Sequence, residues 1–308
     1  IKKKLKIAII GAGYMAEEYL KVFASKKIIC EAIYSRTKFK SKKLKKRYKI
    51  KKLFTSLNDF KNDSEINALI IAVSPESIDS LINILDINKY RVLCEKPVGI
   101  NFQETKKIIY KIKNKFFYVA LNRRFYSSNL KAYSLVNKNK SKRLISIRDQ
   151  ELQNSKSKLY NKNLMYWNSV HLIDYINIYA RGKLVKVDKL KKHKNNKFSE
   201  NLTRLIFSSK DEVLYHCNWN SPGPWSINVI QKYQSIEMKP LENLVHERLI
   251  KGKRIRVFYN KSKIDTKFKP GLFHQVNEFL KMFENKKHKL VNLNDYLNTV
   301  KLIKKLYV

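Results

Sequence analysis

Acidic side chains are scarce in this chain. There are 25 Asp and Glu against 66 Lys and Arg, a formal net charge of +41 over 308 residues. Concentrated, that excess would suit a nucleic-acid ligand. It is not concentrated: residues 1–120 carry 27 bases against 11 acids, and residues 121–308 carry 39 against 14. Lysine supplies 54 of the bases and arginine 12, whereas phosphate readers favour the arginine fork. A solvated lysine surface is expected, with no nucleic-acid partner and a general attraction for anionic substrates.

Cysteine is rare too. Cys30, Cys94 and Cys217 are far apart and odd in number, and the first two sit in apolar strand-like runs. That excludes a disulfide framework and points to buried thiols in a reducing compartment. The six histidines show no ligand spacing, so no metal is expected. The longest apolar runs, such as "ALIIAV" at 68–73, are far short of a membrane helix. The basic opening "IKKKLKIAII" leads into Gly-Ala-Gly and not into a cleavage site, so neither membrane attachment nor a secretion signal is expected and the expected location is the cytoplasm.

Apolar strands and helices alternate through the first part of the sequence. Strands are expected at 6–10, 28–35, 66–75, 91–97 and 116–125, with helices at 14–25, 38–48, 78–85 and 102–114. Asn101 and Glu104 form a capping box for the last helix. Strict alternation implies a parallel, doubly wound sheet. Beyond about residue 142 come β-rich segments such as "LTRLIFSS", "EVLYHCNW" and "KRIRVFYN", which imply a large, mostly antiparallel open sheet. Three helices punctuate this half, at 168–182, 273–285 and 294–306. The expected architecture is α/β, with domains at 1–123 and 124–308, the last helix returning to pack on the first.

The first strand ends in Gly11-Ala12-Gly13-Tyr14-Met15-Ala16. Gly11 permits a tight turn, Gly13 lets a pyrophosphate approach the backbone, and Ala16 is small enough for helix–strand packing. The helix start then offers N–H groups to phosphates. After the second strand stand Ser35, Arg36 and Thr37, with no Asp or Glu to accept from a ribose 2′-hydroxyl. Arg36 can pair a 2′-phosphate, which favours NADP over NAD. "CEKP" at 94–97 puts Lys96 at a strand's carboxyl end, where it can steer a substrate hydroxyl. His171 lies near a helix start, a setting that favours neutral imidazole, and Asp174 shares its helix face as a candidate orienting group.

GAGYMA at 11–16, AVSP at 72–75, EKP at 95–97, NRRF at 122–125 and VHLIDY at 170–175 together resemble the Gfo/Idh/MocA family (glucose-fructose oxidoreductase and inositol dehydrogenase). The resemblance implies an N-terminal Rossmann domain, an α+β substrate domain, and NAD(P)-dependent redox chemistry on sugars or related carbonyls and hydroxyls. It implies that Lys96 touches substrate and nicotinamide ribose across a cis Lys96–Pro97 bond, and that Ser74 and Pro75 border the cofactor. Tyr14, Met15, Glu95 and Arg124 join the cofactor list through the same motifs. It also implies that His171 is the active-site histidine. Two positions depart from the family. Trp167 stands four residues before His171, where an Asp is usual, and Asp79 stands where a histidine is frequent. The expected substrate is a small sugar, with anionic or nucleotide-linked sugars of surface-polysaccharide pathways suited to the lysine-rich loops, and the expected assembly is a homodimer or homotetramer. The rival reading is a non-catalytic, cofactor-binding regulator or scaffold, kept open by Trp167.

Overall fold

A computed structural model describes residues 4–150, 157–191 and 200–307. The chain begins with β1 (Ile7–Ile10), α1 (Tyr14–Ser25), β2 (Cys30–Tyr34), α2 (Lys38–Tyr48), β3 (Lys52–Phe54), α3 (Leu57–Lys61), β4 (Ala68–Ile71), α4 (Ile78–Ile84), β5 (Arg91–Glu95), α5 (Phe102–Lys111) and β6 (Phe117–Ala120). It continues with α6 (Ser127–Lys138), β7 (Leu144–Asp149), α7 (Lys158–Lys162) and a π turn at Met165–Ser169 that runs into α8 (Val170–Tyr179). Then come β8 (Leu184–Lys191), β9 (Glu200–Phe207), β10 (Glu212–Asn218), β11 (Ser226–Gln231), β12 (Gln234–Met238), β13 (Leu244–Ile250) and β14 (Lys253–Tyr259). α9 (Lys263–Lys267), α10 (Leu272–Phe283), β15 (Val291–Asn292) and α11 (Leu293–Tyr307) close the chain.

Two compact units result. One is Ile1–Asn122 with Gly271–Asn298; the other is Arg123–Pro270 with Thr299–Val308. Residues 271–298, assigned by sequence to the second domain, therefore contribute to the first unit. Two interactions account for this. β15 pairs antiparallel with β6, Val291 opposite Val119, and the strongly amphipathic α10 packs on α1.

The first unit holds a seven-stranded sheet in the order β15-β6-β5-β4-β1-β2-β3, parallel except for β15. β1, β4 and β6 are buried at every residue, the continuous apolar reading of strands covered on both faces. Strand order reverses between β1 and β4, and such a reversal opens a crevice at the carboxyl ends. The cap forms with its reciprocal bond displaced: the Asn101 side chain accepts from the Glu104 N–H at 3.0 Å, while the Glu104 carboxylate accepts from the N–H of Ile100, one residue before the cap, at 2.6 Å.

The second unit holds an eight-stranded sheet, β14-β13-β12-β11-β7-β10-β9-β8, antiparallel except for the β7–β10 pair. Along β7, β9 and β10 burial alternates residue by residue, which leaves one face of this sheet open. α6 was missed from sequence because its polar run "SSNLKAYSLVNK" buries only Ser128, Asn129, Ala132 and Val136, a stripe with little apolar signal.

Gly11 carries the tightest demand. Its φ is +113°, and a Cβ there would lie 2.2 Å from the Ala72 carbonyl oxygen. Gly11→Ala should therefore cost at least about 2 kcal/mol in urea unfolding, because it combines backbone strain with a clash against backbone. A loss under about 0.5 kcal/mol would show that the turn yields.

Candidate cofactor crevice and polar cluster

At the strand-order reversal lies a cavity of about 440 Å³ lined by the turns after β1, β2 and β4. Gly11, Ala12 and Gly13 form one wall, Ser35, Arg36, Thr37 and Lys40 a second, and Ser74, Ser77 and Ser80 a third. Gly11 N–H donates to the Tyr34 carbonyl at 2.8 Å, and Ala72 N–H to the Ile10 carbonyl at 2.8 Å. These bonds pin the three turns to one another. A Cβ on Gly13 would meet nothing within 4 Å. Gly13 is also the N-cap of the twelve-residue α1 and offers no side-chain cap, and a helix start of this kind favours an anion. Buried Ala16 packs below. The residues thus fit a dinucleotide: bare backbone, a helix start and room where a pyrophosphate would run.

No carboxylate lines this cavity, whereas Arg36 and Lys40 do. Arg36 is exposed and has no intramolecular partner among the described residues. The Ser35 hydroxyl accepts from the Thr37 N–H at 3.1 Å, which holds the turn that carries Arg36. Lys40, Ser77 and Ser80 were missed from sequence, since a serine or lysine in a polar helix gives no motif. Tyr14, Met15 and Pro75 adjoin the cavity in sequence without lining it. Asp79 faces α5 instead, where it pairs with Lys111 at 2.6 Å and Lys107 at 3.4 Å; Lys111 above all holds its carboxyl below the usual range.

Lys96 follows β5, half-buried, and the Lys96–Pro97 bond is cis. Glu95 is buried, and Tyr19 Oη donates to its Oε1 at 2.7 Å. The Gln275 side-chain amide donates in turn to Tyr19 Oη at 2.9 Å. Glu95 is thus engaged beneath the strand end by α1 and α10.

In the second unit His171 and Asp174 are both buried on α8. The Asp174 carboxylate does not take His171 as a partner among the described residues. It accepts from Arg124 through both oxygens, Arg124 Nη2 to Oδ1 at 2.6 Å and Arg124 Nε to Oδ2, and from Thr299 Oγ1 at 2.8 Å. The shared helix face suggested an Asp174–His171 pair; a bidentate guanidinium outcompetes imidazole for a buried carboxylate. The same contact directs Arg124 toward Asp174. Trp167 lies in the π turn, its ring edge-on to Tyr160 with centroids 5.1 Å apart. The turn could not be read from sequence, because an extra residue in a helical turn leaves no mark in residue type.

Comparisons with known proteins agree with this geometry. Residues 5–121 match the Gfo/Idh/MocA family, described as an oxidoreductase family with an NAD-binding Rossmann fold. No curated protein matches by sequence. Several solved structures share the fold nearly end to end. A dehydrogenase from Clostridium difficile is 18% identical, with 98% of each chain covered and a TM-score of 0.79. UDP-N-acetylglucosamine 3-dehydrogenase from Acidithiobacillus ferrooxidans is 10% identical, covering 98% of this chain and 96% of that one, TM-score 0.78. The super-repressor mutant of Gal80p from Saccharomyces cerevisiae is 14% identical, covering 98% and 94%, TM-score 0.81. At such identities the likeness is one of fold.

The Arg124–Asp174 pair makes a direct prediction. Arg124→Met should cost about 3 kcal/mol in denaturant unfolding, because it strands a buried carboxylate. The double variant Arg124→Met/Asp174→Met should recover part of that loss. A double variant less stable than the single would show that the pair does not act as a unit.

Proposed function

We propose, on the premise that this chain belongs by residues 5–121 to the Gfo/Idh/MocA oxidoreductase family, that it interconverts a sugar or sugar-derived hydroxyl and its carbonyl, with NADP(H) preferred over NAD(H). The observation that carries the cofactor choice is the cavity wall on which Arg36 and Lys40 stand and no carboxylate does. An NAD-selective site needs an acidic acceptor for the ribose hydroxyls; this wall offers donors and positive charge, which suit a 2′-phosphate. A nicotinamide dinucleotide bound there supplies the redox chemistry.

The chain's own residues supply the rest. The bare backbone at Gly13 and the start of α1 bind phosphate. Lys96, held at the β5 end, holds a substrate hydroxyl and stabilises its alkoxide. His171 serves as the acid–base group, with Arg124, Asp174 and Thr299 bracing its helix. Substrates with a phosphate or carboxylate are favoured by the positive field of the chain. The fold shared with UDP-N-acetylglucosamine 3-dehydrogenase makes nucleotide sugars the first class to try, in the setting of surface-polysaccharide synthesis, and the enzyme is proposed to work in the cytoplasm as a homo-oligomer. A second reading, a cofactor-binding regulator, is favoured by the fold shared with a Gal80p repressor and by Trp167 in place of the usual aspartate.

Three measurements separate these readings. Arg36→Ala should weaken NADPH binding by roughly tenfold or more, the worth of one charge-assisted pair, and leave NADH binding nearly unchanged; equal losses would remove the 2′-phosphate argument. Gly13→Val should abolish binding of both cofactors with the fold intact, since its side chain fills only ligand space, and retained affinity would move the cofactor elsewhere. Across a panel of sugars and nucleotide sugars with NADPH and NADH, a substrate should be turned over, and Lys96→Met should lower kcat on the order of 10²-fold or more while cofactor affinity changes little. Tight NADPH binding with no turnover across that panel would favour the regulator.

A further inference from the structure

The even split of charge between the two halves of the chain conceals one local run. Residues 36–52 hold eleven Lys and Arg and no Asp or Glu. Most of that run is α2, seven of whose eleven residues are basic. The helix lies at the outer end of the first sheet, packed on β2 and on the edge strand β3. It buries only Ser41 and Leu44, with Lys45 and Tyr48 half-buried. Phe39, Lys42, Lys43 and Lys46 fall within about 100° of arc on the opposite side of the helix. All four are exposed, Phe39 at 79%.

The bases around this face are neutralised. Arg47 pairs with Glu17 at 2.6 Å, Lys51 with Glu31 at 2.9 Å, and Lys52 with Asp63 and Glu65 at 2.9 and 2.7 Å. Lys42, Lys43 and Lys46 meet no acid among the described residues. A solvated helix face accounts for lysines, and it does not account for an aromatic ring set among them. A ring and three unpaired ammonium groups on one face match a surface that is anionic at its boundary and apolar just beneath. A bilayer with acidic headgroups has that structure. Its negative potential attracts each lysine, and the ring gains by entering the interface. Two weak signals together give reversible adsorption where one alone is marginal. A nucleic acid fits this face less well, because phosphates and base edges are read best by a guanidinium fork, and the arginine of α2 is spent on Glu17.

We propose that the outer face of α2 docks the protein peripherally on an anionic lipid surface, with Phe39 inserted at the interface and Lys42, Lys43 and Lys46 on the headgroups. Adsorption of this kind needs no spanning helix, and none of the described helices is long and apolar enough to be one. Arg36 and Lys40 line the cavity and take no part, so the inference does not depend on the reading of the cavity.

The test is sedimentation of the full chain with vesicles at about 150 mM salt. Vesicles of equal parts phosphatidylglycerol and phosphatidylcholine should bind it, and vesicles of phosphatidylcholine alone should not. Because the whole chain is positive, the decisive comparison is between two variants of equal charge. Lys42→Glu/Lys43→Glu/Lys46→Glu should weaken binding at least about tenfold. Lys301→Glu/Lys304→Glu/Lys305→Glu, at exposed positions of α11, should weaken it about twofold or less. Phe39→Ser leaves the charge unchanged and should weaken binding at least about threefold. Phe39→Trp should gain fluorescence that lipids brominated in the acyl chain quench, beyond any quenching in the unsubstituted chain. Equal losses in the two triple variants would mean diffuse attraction by net charge and overturn the proposal. So would a Phe39→Ser variant that binds like the unsubstituted chain, or duplex DNA held more tightly than the vesicles through the same three lysines. Should the α2 triple variant not fold, the two Phe39 variants decide alone.

Discussion

The crevice depends on one close approach, the Gly11 Cα against the Ala72 carbonyl. β1 and β4 are neighbours from which the sheet grows in opposite directions, so the chain leaving β1 must turn at once to clear the chain leaving β4. A side chain at Gly11 would wedge those two exits apart. With none, the turn closes, α1 starts three residues later, and Gly13 at its N-cap lines the cavity. Arg36 and Ser74 then both line the cavity, because each follows a strand registered directly to β1.

Scarcity of acid shapes the rest. In a chain with so few carboxylates, the buried ones serve as hubs. Asp211 accepts from both arms of Arg181 and from the N–H groups of Arg143 and Arg181. Asp174 ties α8 to Arg124 and Thr299. Glu31 holds Lys6 and Lys51. Each fixes two or more segments through charge-assisted bonds, which are the stronger kind. None of these acids, and no other carboxylate, stands on the cavity wall, which carries Arg36, Lys40 and hydroxyls.

Much of this was legible because it is written in backbone demands. Gly-Ala-Gly after an apolar strand, Pro75 opening a helical turn, Asn101 with Glu104, and Lys96-Pro97 each specify conformation through a residue that few others can replace. Strand and helix alternation exposed the first sheet, and the loss of helices between strands exposed the second. What stayed hidden depends on partners distant in sequence. Asp174 is three residues from His171, yet its bonds go to Arg124 and Thr299, and no spacing rule foretells a partner 125 positions away. Glu95 could be read as facing a ligand until Tyr19 and Gln275 were seen beneath it. The short β3 and α3 and the polar α6 carry too little apolar periodicity to register.

The return of residues 271–298 to the first unit has a consequence for how the protein comes into being. On a ribosome β1 emerges early, but β6 keeps a bare edge until Val291 arrives, and Tyr19 lacks Gln275 until α10 has been made. Unpaired edges and uncovered apolar faces are the usual entry points for misassociation. The second unit's strands β7 to β14 form an unbroken run, so this sheet has all its strands while the first is still short of one. The sheet that starts first therefore finishes last, and for the whole interval between residues 122 and 291 the half-built dinucleotide fold must wait on the translation of another sheet.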